Sequence, residues 1–310
     1  MADITSQTKD VDGIIPKIKQ NRLVRKLIGG MSLMIDDRVT AVYFGFIVFV
    51  IVLGVIGPSI APYKYSKTLY VSGHILRNAP PSWAHPLGTN NVGQDILSRL
   101  LYGARPSLLT GLLGGALIVG IGLAVGVTAG FVGGRTDDAL MRFTDVVYGV
   151  PLLPFAIIMV ALFGVGFFQS ILVIGLLLWR GNARVLRAQV LQIRERPFIL
   201  AAKASGASRT RIVFKHVLPN VAPMAVLFFS LGVGLSILIQ ATLSFLGLVN
   251  PFVPSWGVMI RNAYNSGFLV KSWWWSMPPG ILISGTILST YLIGREYERL
   301  QESRSQREVL

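Results

Sequence analysis

The chain contains no cysteine, which rules out a disulfide framework, a thiolate nucleophile and any cysteine-ligated metal. Histidine is almost as scarce. His74, His85 and His216 are the whole supply, they form no HExxH pattern, and the first two fall in a segment read as outside the membrane while the third falls inside. A metal centre needs several ligands that converge, so these three cannot build one. Acids are few as well: 14 Asp and Glu stand against 29 Lys and Arg. No GxSxG elbow occurs, and no nucleophile, acid–base or metal set gathers near one face, so a membrane-embedded enzyme has little to work with. The long apolar runs hold almost no acids. Asp145 sits at the inner edge of one. A secondary carrier or channel stays open as an alternative class, but a buried relay charge or an inverted repeat would favour it, and neither is evident.

What fills the chain instead is apolar sequence. Hydrophobic residues make up 52% and charged residues 14%, against about 25% charged in a soluble domain, and the mean hydropathy is +0.60. Six segments approach the ~20 residues that a bilayer demands: about 40–61, 107–132, 145–167, 169–188, 221–248 and 274–294. The expected class is all-α, a polytopic membrane protein with six transmembrane helices. The net charge of +15 would suit nucleic acid, yet its distribution suits a membrane better. With the N-terminus inside, 22 of the 29 Lys and Arg lie in the inner segments 1–39, 133–144, 180–220 and 295–310, and 7 lie in the outer segments 62–106 and 249–273. That asymmetry places both termini in the cytoplasm and gives no role to nucleic acid as a partner.

The organisation that follows is a cytoplasmic N-terminal segment 1–38, a first transmembrane helix 39–61, an extracytoplasmic loop 62–106, a transmembrane core 107–294 and a cytoplasmic tail 295–310. Residues 21–38 carry an amphipathic pattern (Leu23, Val24, Leu27, Ile28, Met31) that predicts a lead-in helix lying on the membrane. The polar start is too long, and the following apolar run long enough to span, for a cleavable signal.

The second span is rich in glycine. Gly111/Gly115, Gly122/Gly126 and Gly126/Gly130 are four residues apart, the spacing that lets helix backbones approach closely in lipid. A phosphate-binding glycine loop would need a following Lys-Ser or Lys-Thr in a strand–turn–helix setting, and the chain offers neither. Gln169, Gln189, Gln240, Thr242 and Ser244 are polar groups at or within spans. They are candidates for lining a path, and equally for hydrogen bonds between helices.

Residues 196–220, RPFILAAKASGASRTRIVFKHVLPN, are the most informative stretch. Arg196, Lys203, Arg209, Arg211, Lys215 and a protonated His216 put six positive charges beside a small-residue turn, Gly206-Ala207-Ser208. A basic loop of helical pattern inside so apolar a chain reads as a cytoplasmic docking element, its cations suited to anionic headgroups or acidic grooves on a partner.

Ala201-Ala202, Gly206 and Leu218-Pro219 resemble the "EAA" signature of bacterial and archaeal ABC importer permeases. A second block, from His85-Pro86-Leu87-Gly88-Thr89 through Gly93-Gln94-Asp95-Ile96-Leu97-Ser98-Arg99 to Tyr102-Gly103-Ala104-Arg105, is similar to the "HPLGTDxxGRDxLSRxxYGAR" block of dipeptide/oligopeptide permeases. Asp138-Ala139-Leu140-Met141-Arg142 with Asp145, and Leu243-Ser244-Phe245-Leu246-Gly247 before Pro254-Ser255-Trp256-Gly257, match the same family. The likeness covers roughly residues 35–295 and is nearest to the second, "C"-type permease of the dipeptide/oligopeptide and nickel importers. Three departures stand out. Leu200 replaces the family's signature Glu, Gln94 replaces the Arg of "GRD", and Gly294-Arg295-Glu296-Tyr297-Glu298-Arg299-Leu300 replaces the usual C-terminal tail.

The resemblance implies an ABC type I importer permease fold and a permease subunit with no cofactor of its own. ATP and magnesium would reside in two ATP-binding partner subunits, a second homologous permease would complete the path, and an extracytoplasmic solute-binding protein would deliver cargo. It places the ATPase-coupling helix in the loop at 190–220, on Leu200, Ala201, Ala202, Lys203, Ser205, Gly206, Ala207, Ser208, Leu218 and Pro219, with Gln169, Gln240, Thr242 and Ser244 as path candidates. The implied cargo is short peptides, then oligosaccharides, then nickel. Trp273-Trp274-Trp275 reads as an aromatic anchor at the outer interface, or as a contact for the binding protein.

Overall fold

The computed structural model describes residues 38–307. The expected lead-in helix at 21–38 lies almost wholly outside them. Helix α1 (Arg38–Ile60) opens the described chain, followed by a hairpin of two two-residue strands, β1 (Tyr70–Val71) and β2 (His74–Ile75). The remainder is helical: α2 (Ile96–Val132), α3 (Gly134–Gly149), α4 (Leu152–Phe163), α5 (Phe167–Arg194), α6 (Pro197–Ala204), α7 (Arg209–Ile212), a π turn (Val213–Val217), α8 (Leu218–Leu246), α9 (Trp256–Asn265) and α10 (Trp273–Arg307).

Among the described residues, four helices are long and apolar enough to cross a membrane, namely α1, α2, the helix ending at Leu246, and α10. Counting α3 and α4 as one broken span makes five. The expected third span, 145–167, is not one rod. Its two helices meet at 85°, because Pro151 cannot donate into a helix and confines Val150 to the extended region, where it sits at ψ 115°. Helix α5 has the length of a span but carries Arg180, Arg184, Arg187 and Arg194 from its midpoint onward.

Two boundaries move for local reasons. Helix α2 begins at Ile96 rather than near 107. Asp95 caps it, its carboxylate accepting from the Ser98 amide at 2.7 Å, and Ile96, Leu100 and Ala104 enter the core. Arg99, Arg105 and Pro106 disguise that start as loop. Helix α9, which the spans did not include, is capped by the Ser255 hydroxyl and buries Trp256, Val258, Met259 and Ala263.

The glycines of α2 do what their spacing predicts, on two faces. Gly111 and Gly115 lie against α8, where a Cβ on Gly115 would come within 2.9 Å of the Val233 amide nitrogen. Gly122, Gly126 and Gly130 lie against α5, where a Cβ on Gly126 would meet the Ala183 carbonyl oxygen at 2.6 Å. Helix α2 is thus the central post, packed on both α8 and α5. The tryptophan triplet departs from expectation. Trp275 is fully buried in the cluster of Val50, Trp256 and Ile283, Trp274 packs on the same cluster, and only Trp273 is exposed. Successive helical residues lie about 100° apart, so three in a row cannot share one lipid-facing edge.

Candidate coupling site

The loop between α5 and α8 folds into a compact helical elbow. Pro197 starts α6 at its first helical position, where a missing N–H costs nothing. The helix stops after eight residues because Gly206 adopts φ +76°. The Gly206 amide donates to the Lys203 carbonyl at 3.0 Å and the Ala207 amide to the Ala202 carbonyl at 3.0 Å. These are the two reversed bonds of a Schellman end, and they satisfy carbonyls that would otherwise be orphaned. Ser208 then caps α7, its hydroxyl accepting from the Arg211 amide. Pro219 sits in the first turn of α8.

One face of this elbow is anchored. Ile199, Ile212, Val217 and Val221 join Val127 of α2 and Leu186, Val190 and Ile193 of α5 in a single buried cluster, with Ala202, Ala207 and Leu218 packed on its edge. Burying a branched aliphatic side chain contributes roughly 1.5–3 kcal/mol, so Ile199 and Ile212, both essentially solvent-free, fix the elbow to α2 and α5. The other face is open. Leu200 is 48% exposed and Phe214 70% exposed, and Ala201, Lys203, Ser205, Gly206 and Ser208 are exposed beside them. Ser208, Thr210, Arg211, Phe214 and Lys215 line a shallow concavity. Phe198, 40% exposed, lies 6.2 Å from the His216 ring. The result is an apolar and basic outward surface on a rigid seat. Sequence reasoning singled out the alanines, Gly206 and the Leu-Pro. It passed over Phe198 and Phe214, whose exposure only the fold reveals.

The four path candidates do not form one group. Gln240 and Ser244 are buried and bonded together, the Gln240 amide donating to the Ser244 and Ser255 hydroxyls at 3.2 Å each. They tie α8 to α9. Thr242 donates to the Leu238 carbonyl of its own helix at 3.0 Å, and Gln169 donates across the α4–α5 turn to the Phe163 carbonyl at 3.3 Å. Among the described residues, no three or more His, Cys, Asp or Glu side chains come together as a metal site.

The second sequence block builds the approach to the N-terminus of α2. His85 Nδ1 lies 3.2 Å from the Asp95 carboxylate, which also accepts from the Ser98 hydroxyl at 2.7 Å. Gln94 Oε1 accepts from Asn90 at 2.9 Å and from the buried Arg99 guanidinium at 2.6 Å. The block is therefore a structural clasp between the loop that precedes α2 and the first turn of that helix.

Comparison with known proteins agrees with this geometry. Residues 122–296 match the family described as "Binding-protein-dependent transport system inner membrane component". The chain is 36% identical over 250 residues to the dipeptide transport system permease protein DppC of Bacillus subtilis, covering 80% of this chain and 76% of that protein. It is 34% identical over 248 residues to the oligopeptide transport system permease protein OppC of Haemophilus influenzae, covering 79% and 78%. The solved MetNI methionine ABC transporter, in inward-facing conformations, has the same fold, with a TM-score of 0.54 at 17% identity over 66% of this chain and 95% of that one. The elbow, the glycine-spaced post and the relatives agree: the chain belongs to the binding-protein-dependent transport inner membrane components, as a multi-pass ABC importer permease of the C type found in dipeptide and oligopeptide systems.

Proposed function

We propose that this chain is one half of the translocation path of an ATP-driven importer of short peptides. The observation that carries the reading is the outward face of α6 and Gly206. It is exposed on one side and bolted on the other to the buried cluster joining α2, α5 and α8.

The path crosses the membrane six times, by α1, α2, the broken pair α3/α4, α5, α8 and α10. An even number of crossings puts both ends of the chain on one side, and the Lys and Arg excess makes that side the cytoplasm. A second, homologous permease supplies the other half. Two ATP-binding subunits, holding ATP and magnesium, receive the elbows from below, and an extracytoplasmic binding protein delivers the peptide from above. When the ATPases close on nucleotide, they displace the elbow. Because Ile199 and Ile212 are locked among α2, α5 and α8 side chains, the displacement passes into three membrane helices rather than into a slack loop. That is a two-state element biased from a distant site. Peptide cargo is supported by the relatives' own dipeptide and oligopeptide systems.

The natural chain has no cysteine, so Lys203→Cys would carry a unique thiol on the exposed face. In the assembled importer a short bifunctional reagent on that thiol should capture an ATP-binding subunit, and nucleotide should change the yield. A thiol that reacts freely with a soluble maleimide in the intact complex and captures no ATPase subunit would refute the docking role.

A further inference from the structure

Along the second part of α5 the arginines have acids of their own. Arg184 pairs with Asp145, Arg187 with Asp137 and Arg194 with Glu195. Past Glu195 the sequence holds no Asp or Glu until Glu296. Arg196, Lys203, Arg209, Arg211 and Lys215 fall in that gap. All five are exposed, and among the described residues none of them forms an ion pair. The coupling elbow therefore carries uncompensated positive charge where the neighbouring helix is balanced.

Two of these cations share one feature. Arg211 and Lys215 line the shallow recess of α7 and the π turn together with Phe214, Ser208 and Thr210. The two hydroxyl oxygens lie 3.3 Å apart and share one hydrogen bond. Two hydroxyl protons are present, so one remains to donate. The recess thus offers two cationic donors, a hydroxyl donor and an aromatic wall, with Phe214 70% exposed, and no carboxylate. That set fits an anionic acceptor carried on an apolar surface, as an Asp or Glu side chain of another protein would be. A bilayer fits poorly. An element lying on lipid turns its apolar side down, but the apolar side of this elbow, Ile199, Ile212 and Val217, is already buried against α2 and α5. The exposed side, with Leu200 and Phe214, points away from those helices.

We propose that this recess is a second docking prong beside α6, taking an acidic side chain of the ATP-binding subunit between Arg211 and Lys215 while Phe214 packs on the same surface. The prong rests on the docking reading above and goes beyond it by fixing the chemistry of the partner's groove, which is acidic and apolar.

A water-soluble carbodiimide joins an amine to a carboxylate that it touches. Applied to the complete importer in phosphatidylcholine discs, it should link Lys215 to an Asp or Glu of the ATP-binding subunit, and peptide mapping should locate the link. Lys215→Arg should abolish the link yet keep the subunit bound. Arg211→Gln combined with Lys215→Gln should weaken retention of that subunit about tenfold and flatten its salt dependence, since exposed charges are screened by salt. Both side chains are exposed and hold no contact within the fold, so these variants should assemble; Arg211→Lys with Lys215→Arg, which keeps both charges, should retain the subunit within about threefold. If Lys203→Cys captures the ATP-binding subunit but Lys215 forms no link, or the double glutamine variant holds it within twofold, the elbow docks by α6 alone and the inference fails. If neither position captures it, the docking reading fails first. If retention requires added phosphatidylglycerol, the recess holds lipid headgroups and the inference fails as well.

Discussion

Arg187 grips Asp137 with two parallel bonds, Nε to one carboxylate oxygen and Nη2 to the other, each at 2.5 Å. Fifty residues apart in sequence, the two fasten the first turn of α3 to the C-terminal half of α5. Asp137 is buried and Arg187 partly so. The fork geometry matters as much as the charge. Asp137→Asn should lower the unfolding free energy by about 1.5–3 kcal/mol, the range for hydrogen bonds to charged groups, and Arg187→Lys should cost nearly as much. Thermal unfolding in detergent, read by tryptophan fluorescence, measures both. Equal stability of the lysine variant would show that charge alone suffices.

Gly206 ends α6 at φ +76°, yet beyond its two chain neighbours a Cβ there would meet no described residue within 4 Å. Its requirement is one of backbone, not space. Asn tolerates that conformation and valine does not. Gly206→Val should therefore leave the complex assembled and ATP hydrolysis running while uptake falls about tenfold, and Gly206→Asn should restore most of the coupling. Uptake per ATP hydrolysed is the quantity to follow. If Asn is as damaging as Val, the glycine is needed for close contact with the partner rather than for its turn.

How much of this was written in the chain depends on how local the physics is. The glycines of α2 were legible because close backbone approach requires small residues every fourth position, and Gly126 and Gly130 lie against Ala183 and Arg187 as that rule demands. Gly206 was legible because a turn after alanines needs φ > 0. The break at Val150-Pro151 was visible as a proline but hidden by the apolar residues on both sides, which made 145–167 look continuous. The start of α2 was hidden by its own Arg99 and Pro106. What no pattern could show is contact across distance: Arg184 with Asp145 is a pairing 39 residues apart, and the path candidate Gln240 bonds Ser255, the cap of α9. The triplet Trp273-Trp274-Trp275 looked like a single surface feature, but helical rotation sent Trp275 into the core.

The crossing of α2 over α5 has no room to spare. A Cβ on Gly126 would lie 2.6 Å from the Ala183 carbonyl oxygen and 3.0 Å from the Leu186 Cβ. Backbone cannot swing aside as a side-chain end can, so the helices must part. Gly126→Ala should cost about 1–3 kcal/mol, as overpacking does, and Gly126→Leu should abolish folded yield. By contrast Gly120→Ala, where a Cβ meets nothing, should be neutral or slightly stabilising through helix propensity. Monodisperse yield on size exclusion distinguishes these; a well-folded Gly126→Leu protein would disprove the tight crossing.

Asn90 and Gln94 face each other in the clasp that precedes α2. In the dipeptide/oligopeptide permease block the positions of Asn90 and Gln94 carry Asp and Arg, whereas here two neutral groups face each other at 2.9 Å, and Gln94 also receives Arg99 at 2.6 Å. Gln94→Arg alone would set a second guanidinium against the buried Arg99 with no acid to balance it, and buried charge without a partner is strongly destabilising. Asn90→Asp together with Gln94→Arg restores a counter-charge at the same site. The single Gln94→Arg variant should lose about 2–4 kcal/mol, and the double variant should recover at least half, a coupling of the size that contacting residues show. A double-mutant cycle on thermal unfolding of the purified chain supplies the test. Additive losses would mean that Asn90 and Gln94 do not act as a unit, and that Arg99 tolerates its new neighbour by some other route.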